Sequence, residues 1–466
     1  MRVSLAPPSI AAVLLLAGIA TPAAAADHDG DHGTPVACDT AALISAIETA
    51  NANGGGTLSL ARNCDYQLTS AYNSTDNGLP AITKKITIKG NGATIERTGG
   101  GDFRIFEVDA PDGDLTTYDL TIKGGSLATS GLFGAGIYVQ RGARLTLVDS
   151  TVTGNTNTTD YGGGIANFGS ATLTHTSVTA NTASTYYGGG ILNTGELSIK
   201  DSRLSGNQSP EGGALYADGG TTKIDHSTFD SNSTTYYGGA VMDDLGRIEI
   251  DDSAITNNTA GYYGGGLYVE YYASMTLRNT RVEGNSAGYY GGGTYNDGTL
   301  EGYKAKVKGN TADYGGGVYA YGSATFQDSQ ISGNTAVSYG GGVYNTSNLK
   351  LTRTTVSENT VTDTLGQGAG IYNQYALVLD DVRVTGNQAT GSSSQGGGIY
   401  NFTYPGYTYY GNIQLNKTKI TENSAATVGG VSTGDQFNVF RDSTITNNTP
   451  SNCTGSPISP VYHCTN

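Results

Sequence analysis

Between residues 134 and 449, apolar and polar residues alternate with a period of two in very short runs. "LTLVDS" (145–150), "LSIKDS" (197–202) and "IEIDDS" (248–253) are examples. Such runs make half-buried strands, since side chains at i and i+2 share a face of a strand. The same alternation runs through "GGGIYN"-like segments. There, Ile165, Ile191, Val241, Leu267, Val318, Val343, Ile371 and Ile399 hold one slot and are expected to point inward. The neighbouring slot, with Tyr216, Met242, Tyr268, Tyr295, Tyr319, Tyr344, Tyr372 and Tyr400, is then expected to face solvent, beside a stripe of outward glycines such as Gly266.

The runs recur. An Asn in "GNTA"-like segments appears at 155, 181, 207, 232, 258, 285, 310, 334, 359, 387, 423 and 448, with gaps of 24 to 28 residues and one of 36. Glycine triplets keep the same beat. About twelve copies, each with three short strands and intervening turns, match the coils of a parallel β-solenoid. Helical repeats are excluded, because no 3.6-residue periodicity is present. Coils about 4.8 Å apart would build a repetitive rod of roughly 55–60 Å. The Asn ladder reads as stacked amides closing a turn inside it. Ahead of the repeats, "DTAALISAIETANANGGG" (39–56) reads as a helix capped by Asp39 or Thr40, with Leu43, Ile44 and Ile47 on one face. It is placed to cover the open end of the solenoid.

"CDTAALISAIETANANGGGTLSLARNCDYQLT" and "ITIKGNGATIE" resemble the opening of secreted β-helix proteins of the pectin-lyase-like superfamily. The "GGGIYN…ISGNTA" copies resemble repeats of the polymorphic outer-membrane-protein type. The resemblance implies an all-β, right-handed parallel β-helix with coils of about 26 residues and a short N-terminal capping helix. The expected organisation is a signal peptide (1–26), a disordered mature N-terminus (27–37), the cap helix and first coils (38–130), repetitive coils (131–450) and a disulfide-closed end (451–466). That superfamily holds polysaccharide lyases, glycoside hydrolases and adhesins, so fold alone does not choose among them.

Composition narrows the choice. Glycine supplies 70 of 466 residues, yet its regular placement and 37% hydrophobic content argue for order. A net charge of −15 argues against nucleic acid and anionic lipid, and against acidic polysaccharide unless a cation bridges the two. Arg2, the apolar stretch 10–20 and "TPAAAA" form a secretory leader pattern. No later apolar run is long enough to span a membrane as a helix. A secreted or cell-surface monomer is expected. Export makes Cys38, Cys64, Cys453 and Cys464 disulfide candidates; pairing 38–64 and 453–464 would staple the two ends, among three possible connectivities.

Two ladders are candidates for function. Tyr268, Tyr295, Tyr319, Tyr344, Tyr372 and Tyr400 either cover strand glycines or form an aromatic platform for sugar rings, extended by Tyr187, Tyr237, Tyr263, Tyr290, Tyr314 and Tyr339 at a turn. Asp218, Asp244, Glu270 and Asp297 follow two residues after the tyrosine slot in successive coils. Stacked carboxylates raise one another's pKa or recruit a cation, for which Ca²⁺ has the right ligand chemistry; splaying into water is the alternative. Asp149, Asp201, Asp252, Asp328, Asp381 and Asp442, with His175 and His226 in the same slot, read as turn residues. The Gly-His-Gly and Arg-Ile-Lys segments of polygalacturonase-like relatives are absent, and Arg247 and Lys304 match a lyase base only loosely. No residue is therefore assigned a catalytic role. The sequence favours a rod that binds carbohydrate or an envelope surface over a polysaccharide lyase, a hydrolase or a purely structural protein. The insertion at 401–412 and the charged stretch 101–114 are the departures from the repeat.

Overall fold

The computed structural model describes residues 33–402, 411–433 and 439–454. They wind into a right-handed parallel β-solenoid of about 15 turns with one short helix near the N-terminus. Three sheets line it, of 29, 14 and 11 strands. One coil shows the plan: Leu267–Val269 in the 14-stranded sheet, Ser274–Arg278 and Arg281–Glu283 in the long sheet, and Ser286–Ala287 in the 11-stranded sheet. Every named strand pairing is parallel, and neighbours align residue on residue, as in Tyr268↔Tyr295 and Arg281↔Lys306.

The long sheet carries two segments per coil because the chain bends between them. At the bend stand Asp149, His175, Asp201, His226, Asp252, Asn279, Lys304 and Asp328, all with φ between 45° and 52°. Asp, Asn and His tolerate this left-handed conformation better than most residues, which explains their recurrence there. The next side chain turns inward, and its hydroxyl links coils: the Ser202 N–H donates to Ser227 Oγ and the Ser227 N–H to Ser253 Oγ.

Inside, the aliphatic slot from Ile165 to Ile399 is fully buried, joined by Met275, Leu277 and Val282 from the long sheet in one continuous core. The amide ladder runs beside it. The Asn258 side chain donates from Nδ2 to Phe229 O and to Asn285 Oδ1, while its own Oδ1 accepts from the backbone N–H and Nδ2 of Asn232. This pattern continues from Asn155 to Asn448 and closes on Asn452. It crosses the 36-residue coil unbroken, with Asn387 Nδ2 2.8 Å from Asn423 Oδ1. Of the insertion at 401–412, residues 403–410 lie outside the described residues.

The helix, α1 (Thr40–Ala52), packs on the first strands through Leu43, Ile47 and Ala50, with Ile44 half-buried at the margin. Asp39 is its cap, accepting from the Ala42 N–H at 2.9 Å. Cys38 and Cys64 are disulfide-bonded, tying the helix start to the first coil. Cys453 is also disulfide-bonded, whereas Cys464 and the leader region lie outside the described residues. Part of the segment 27–37, expected to be disordered, is a strand. Thr34–Val36 pairs with Leu58, Ser59 and Leu60, because Val36 gains a buried place beside the helix. No helix among the described residues is long and apolar enough to cross a membrane.

The glycine triplets answer to close approach between coils. A Cβ at Gly265 would run into the carbonyl oxygens of Gly292 and Ser286, and one at Gly266 would meet Gly293 O and the Asn285 amide. The glycine stripe therefore faces the amide ladder and the next coil, not the outer surface beside the tyrosine rings. Gly265→Ala is expected to lower unfolding stability by about 2–3 kcal/mol or more, since backbone must shift to admit the methyl. Denaturant titration checks this; a loss below about 0.5 kcal/mol would show that the coil spacing is not set by these glycines.

Candidate functional site

The tyrosine slot does lie on the outer side of the 14-stranded sheet, but its rings are not open to water. Tyr216, Tyr268, Tyr295, Tyr319, Tyr344 and Tyr372 are only 3–9% exposed, and Tyr400 is half-buried. This corrects the expectation of a solvent-facing platform. The rings stack face to face from coil to coil: Tyr268–Tyr295 at 4.8 Å, Tyr319–Tyr344 at 4.8 Å, Tyr344–Tyr372 at 4.7 Å. A second row then covers them laterally. Tyr263 stacks on Tyr295 at 5.2 Å, Tyr237 on Tyr268 at 5.2 Å and Tyr339 on Tyr372 at 4.9 Å. Burial pushes the hydroxyls of Tyr216, Tyr268, Tyr295 and Tyr344 well above the usual phenol range.

The water-facing aromatic row is the first residue of each Tyr-Tyr pair. Tyr236, Tyr262 and Tyr289 are 40–47% exposed, with Tyr186 close behind. Tyr262 and Tyr289 stack at 5.4 Å, so this row too is ordered. The sequence reading missed it by placing the exposed ring second in the pair. The signal was present: the residue just before the glycines is aligned to pack on the stack, and its predecessor must alternate outward.

From Tyr216 to Tyr344 in the stack, and from Tyr187 to Tyr339 in the covering row, one residue of each row is not tyrosine. Met242 stands in the stack between Tyr216 and Tyr268. Glu211 occupies the covering slot, pairing with Tyr237 across the sheet, where the coils from Tyr237 to Tyr339 carry tyrosine and two later ones Gln367 and Gln395. Around this break the acid ladder assembles. Tyr216 Oη donates to Asp244 Oδ2 at 2.7 Å. Burial, and then the charges of Asp244 and Glu270, push the Glu211 carboxyl up to about 7. Asp218 is raised by burial and then by Asp244; Asp297 by burial and then by Glu270. Asp244 thus acts on Asp218 and Glu270 on Asp297, and Glu211, seven residues ahead of Asp218, feels both Asp244 and Glu270. Among the described residues, no ion pair joins a Lys or Arg to any of these five acids.

Directly beneath lies Asp243, fully buried in the inward slot that Asn167, Asn193 and Asn296 fill in other coils. Its Oδ1 accepts from the Gly246 N–H at 3.0 Å, and its Oδ2 has no partner. Burial pushes its carboxyl up to about 7, against the pull of the Gly246 N–H and with the added charge of Asp244.

Other candidates fall elsewhere. Arg247 turns to Glu249 at 2.7 Å, and Lys304 stands at a bend of the long sheet. Asp225, His226 and Asp252, at those same bends, bring three ligand atoms within 4.8 Å of one another. The charged stretch 101–114 closes on itself: Arg104 and Glu107 pair at 3.3 Å, and Asn77 and Gln140 donate to the Glu107 carboxylate at 2.6 and 2.8 Å. That network is satisfied and presents no open group.

At neutral pH the break therefore offers a carboxyl that both donates and accepts, further carboxylates that accept, and an exposed aromatic row alongside. Such a mixture can hold a polyhydroxylated ligand by hydrogen bonds while an apolar ring face covers its C–H surface. The family described as a right-handed β-helix region matches residues 187–356, which include this break. No curated protein matches. Among solved structures, the chain is similar to the A-module of the mannuronan C-5 epimerase AlgE6 of Azotobacter vinelandii. The identity is 16%, the match covers 90% of this chain and 95% of that one, and the TM-score is 0.30.

Proposed function

We propose that this chain is an exported β-helix protein that binds carbohydrate through the face centred on Glu211, Asp244 and Glu270. The observation that carries the reading is the placement of Met242 between Tyr216 and Tyr268 in one row and of Glu211 between Tyr187 and Tyr237 in the other, in adjacent coils. A repeat that serves structure alone gains nothing from a half-buried carboxyl where tyrosine packs well. The leader pattern and the Cys38–Cys64 disulfide support an oxidising, extracellular setting.

A panel of neutral and acidic oligosaccharides, titrated with and without Ca²⁺, tests the reading. Glu211→Gln and Tyr262→Ala are each expected to weaken the bound glycan about tenfold, or about 1.4 kcal/mol. Unchanged affinity in both variants, or no glycan bound by the parent, would overturn it. One observation favours catalysis as a second reading: Glu211 titrates near 7 beside Asp244, the arrangement that separates a proton donor from a charged partner. Release of shortened or unsaturated sugars by the parent, abolished in Glu211→Gln, would replace binding with a hydrolase or lyase activity.

A further inference from the structure

The bend of the long sheet carries a column of charge along the rod. In coil order it reads Asp149, His175, Asp201, His226, Asp252, Asn279, Lys304, Asp328, Arg353, Asp381, Lys417 and Asp442. Signs alternate, so most cationic members have an acid in the coils on both sides. Arg353 shows the result, gripping Asp328 through Nε and Nη2 at 2.7 and 2.9 Å. The alternation fails at one position. Lys304 has Asn279 on one side, and on the other an Asp328 already held by Arg353.

The neighbouring column repeats the anomaly. Arg281 and Lys306 are directly paired residues on adjacent strands, with Ala254 before them and Gln330 after. Like charges in register on parallel strands destabilise the pairing. Arg281 reaches Glu283 only at 3.5 Å, with more than half of its side chain exposed. Arg281, Lys304 and Lys306 line one concavity of about 310 Å³, together with His226, Asn279 and Asp252. The carboxylate among its lining residues, Asp252, is engaged by the Asn279 amide, and Asp225 beside it is taken up by His226 at 2.6 Å. A surplus of positive charge is thus gathered in a hollow of a chain whose net charge is −15.

We propose that this hollow binds a sulfate or phosphate ester group on a glycan chain, at a site separate from the acid-and-tyrosine face. Three cations converging on one hollow suit a tetrahedral oxyanion with three free oxygens better than a two-oxygen carboxylate. The bound anion offsets the repulsion between Arg281 and Lys306. The proposal stands whether or not the other face binds sugar.

The test titrates the full chain at low salt with inorganic sulfate, inorganic phosphate, a sulfated oligosaccharide and an unsulfated uronate oligosaccharide. The sulfated oligosaccharide is expected to bind with an affinity that falls as salt rises. A Lys304→Gln/Lys306→Gln variant is expected to lose at least about tenfold in affinity. Lys417→Gln, in the same column but flanked by Asp381 and Asp442, is expected to change it less than twofold. Sulfate or phosphate is expected to raise the parent's melting temperature and not that of the double variant. These side chains are exposed, so both variants should fold; an unchanged melting temperature without anion verifies it. Equal binding by parent and double variant, or no binding of the sulfated oligosaccharide, overturns the site. Equal affinity for the unsulfated uronate overturns the assignment to an ester.

Discussion

Asn258→Ala is expected to destabilise the protein by about 3–5 kcal/mol, the largest effect of any single side chain considered, read as a fall in denaturant midpoint. Four hydrogen bonds meet at this amide, two given and two received. Removing it takes the side-chain donor from Phe229 O and Asn285 Oδ1, the latter keeping only the backbone N–H of residue 258, and leaves the Asn232 backbone N–H and one of its Nδ2 protons without their acceptor. An unpaired buried polar group costs about 1–3 kcal/mol. Asn258→Asp tests direction at constant shape. It sets a carboxylate oxygen against Phe229 O and Asn285 Oδ1, both acceptors, so it should be at least as damaging at neutral pH. A loss below about 1 kcal/mol for either variant would mean that the ladder is a passenger of the fold and that aliphatic burial alone holds the coils in register.

Asp243 carries the second large effect, and it depends on pH. Its carboxyl titrates near 7 in the folded protein against an ordinary value of 3.8. The folded state therefore prefers the protonated form. Below pH about 4 both states are protonated and the full stability is present. Stability falls as pH rises towards 7, where the folded protein must ionise a buried group whose Oδ2 has no partner. Above that the loss is constant. About three pH units at 1.36 kcal/mol each gives a loss on the order of 4 kcal/mol between pH 4 and pH 8. Asp243→Asn should remove this slope, being close to neutral at pH 4 and stabilising at pH 8. Its amide can donate to a backbone carbonyl of the following turn, as Asn193 Nδ2 does to Gly195 O at 3.1 Å. Glu211 adds a slope of the same sign that Asp243→Asn leaves in place. Chemical unfolding at pH 4, 6 and 8 separates the two; a parent and variant with parallel profiles would show that Asp243 is solvated or paired in solution.

Much of this was legible in the sequence, because a solenoid turns sequence period into spatial contact. The inward slot from Ile165 to Ile399 and the amide ladder both follow from alternation and a constant gap, and both stand in the structure. The stacking of Asp218, Asp244, Glu270 and Asp297 follows from the same register. Alternation tells which side of a sheet a residue is on, however, and not what covers that side. Tyr268 and its neighbours point away from the core, yet rings from adjacent turns bury them. That lateral cover depends on a second tyrosine per coil and on where the turn places it. Glu211 was invisible for a related reason. Its meaning lies in replacing a tyrosine at a turn, and only the pairing with Tyr237 reveals the slot. Net charge concealed the hollow at Lys304 similarly, since a total of −15 says nothing about where the 25 basic residues gather.

The central claim is that the break in the tyrosine rows at Met242 and Glu211 is where sugar binds. Hydrogen–deuterium exchange of the full chain, with and without a saturating glycan from the panel, tests it most directly. Slowed exchange is predicted in segments 208–218, 234–246 and 260–272, with the coils from 315 to 345, where both rows are tyrosine, unchanged. Protection confined to other segments, the insertion at 401–412 included, or binding with no protection at the break, would contradict the account.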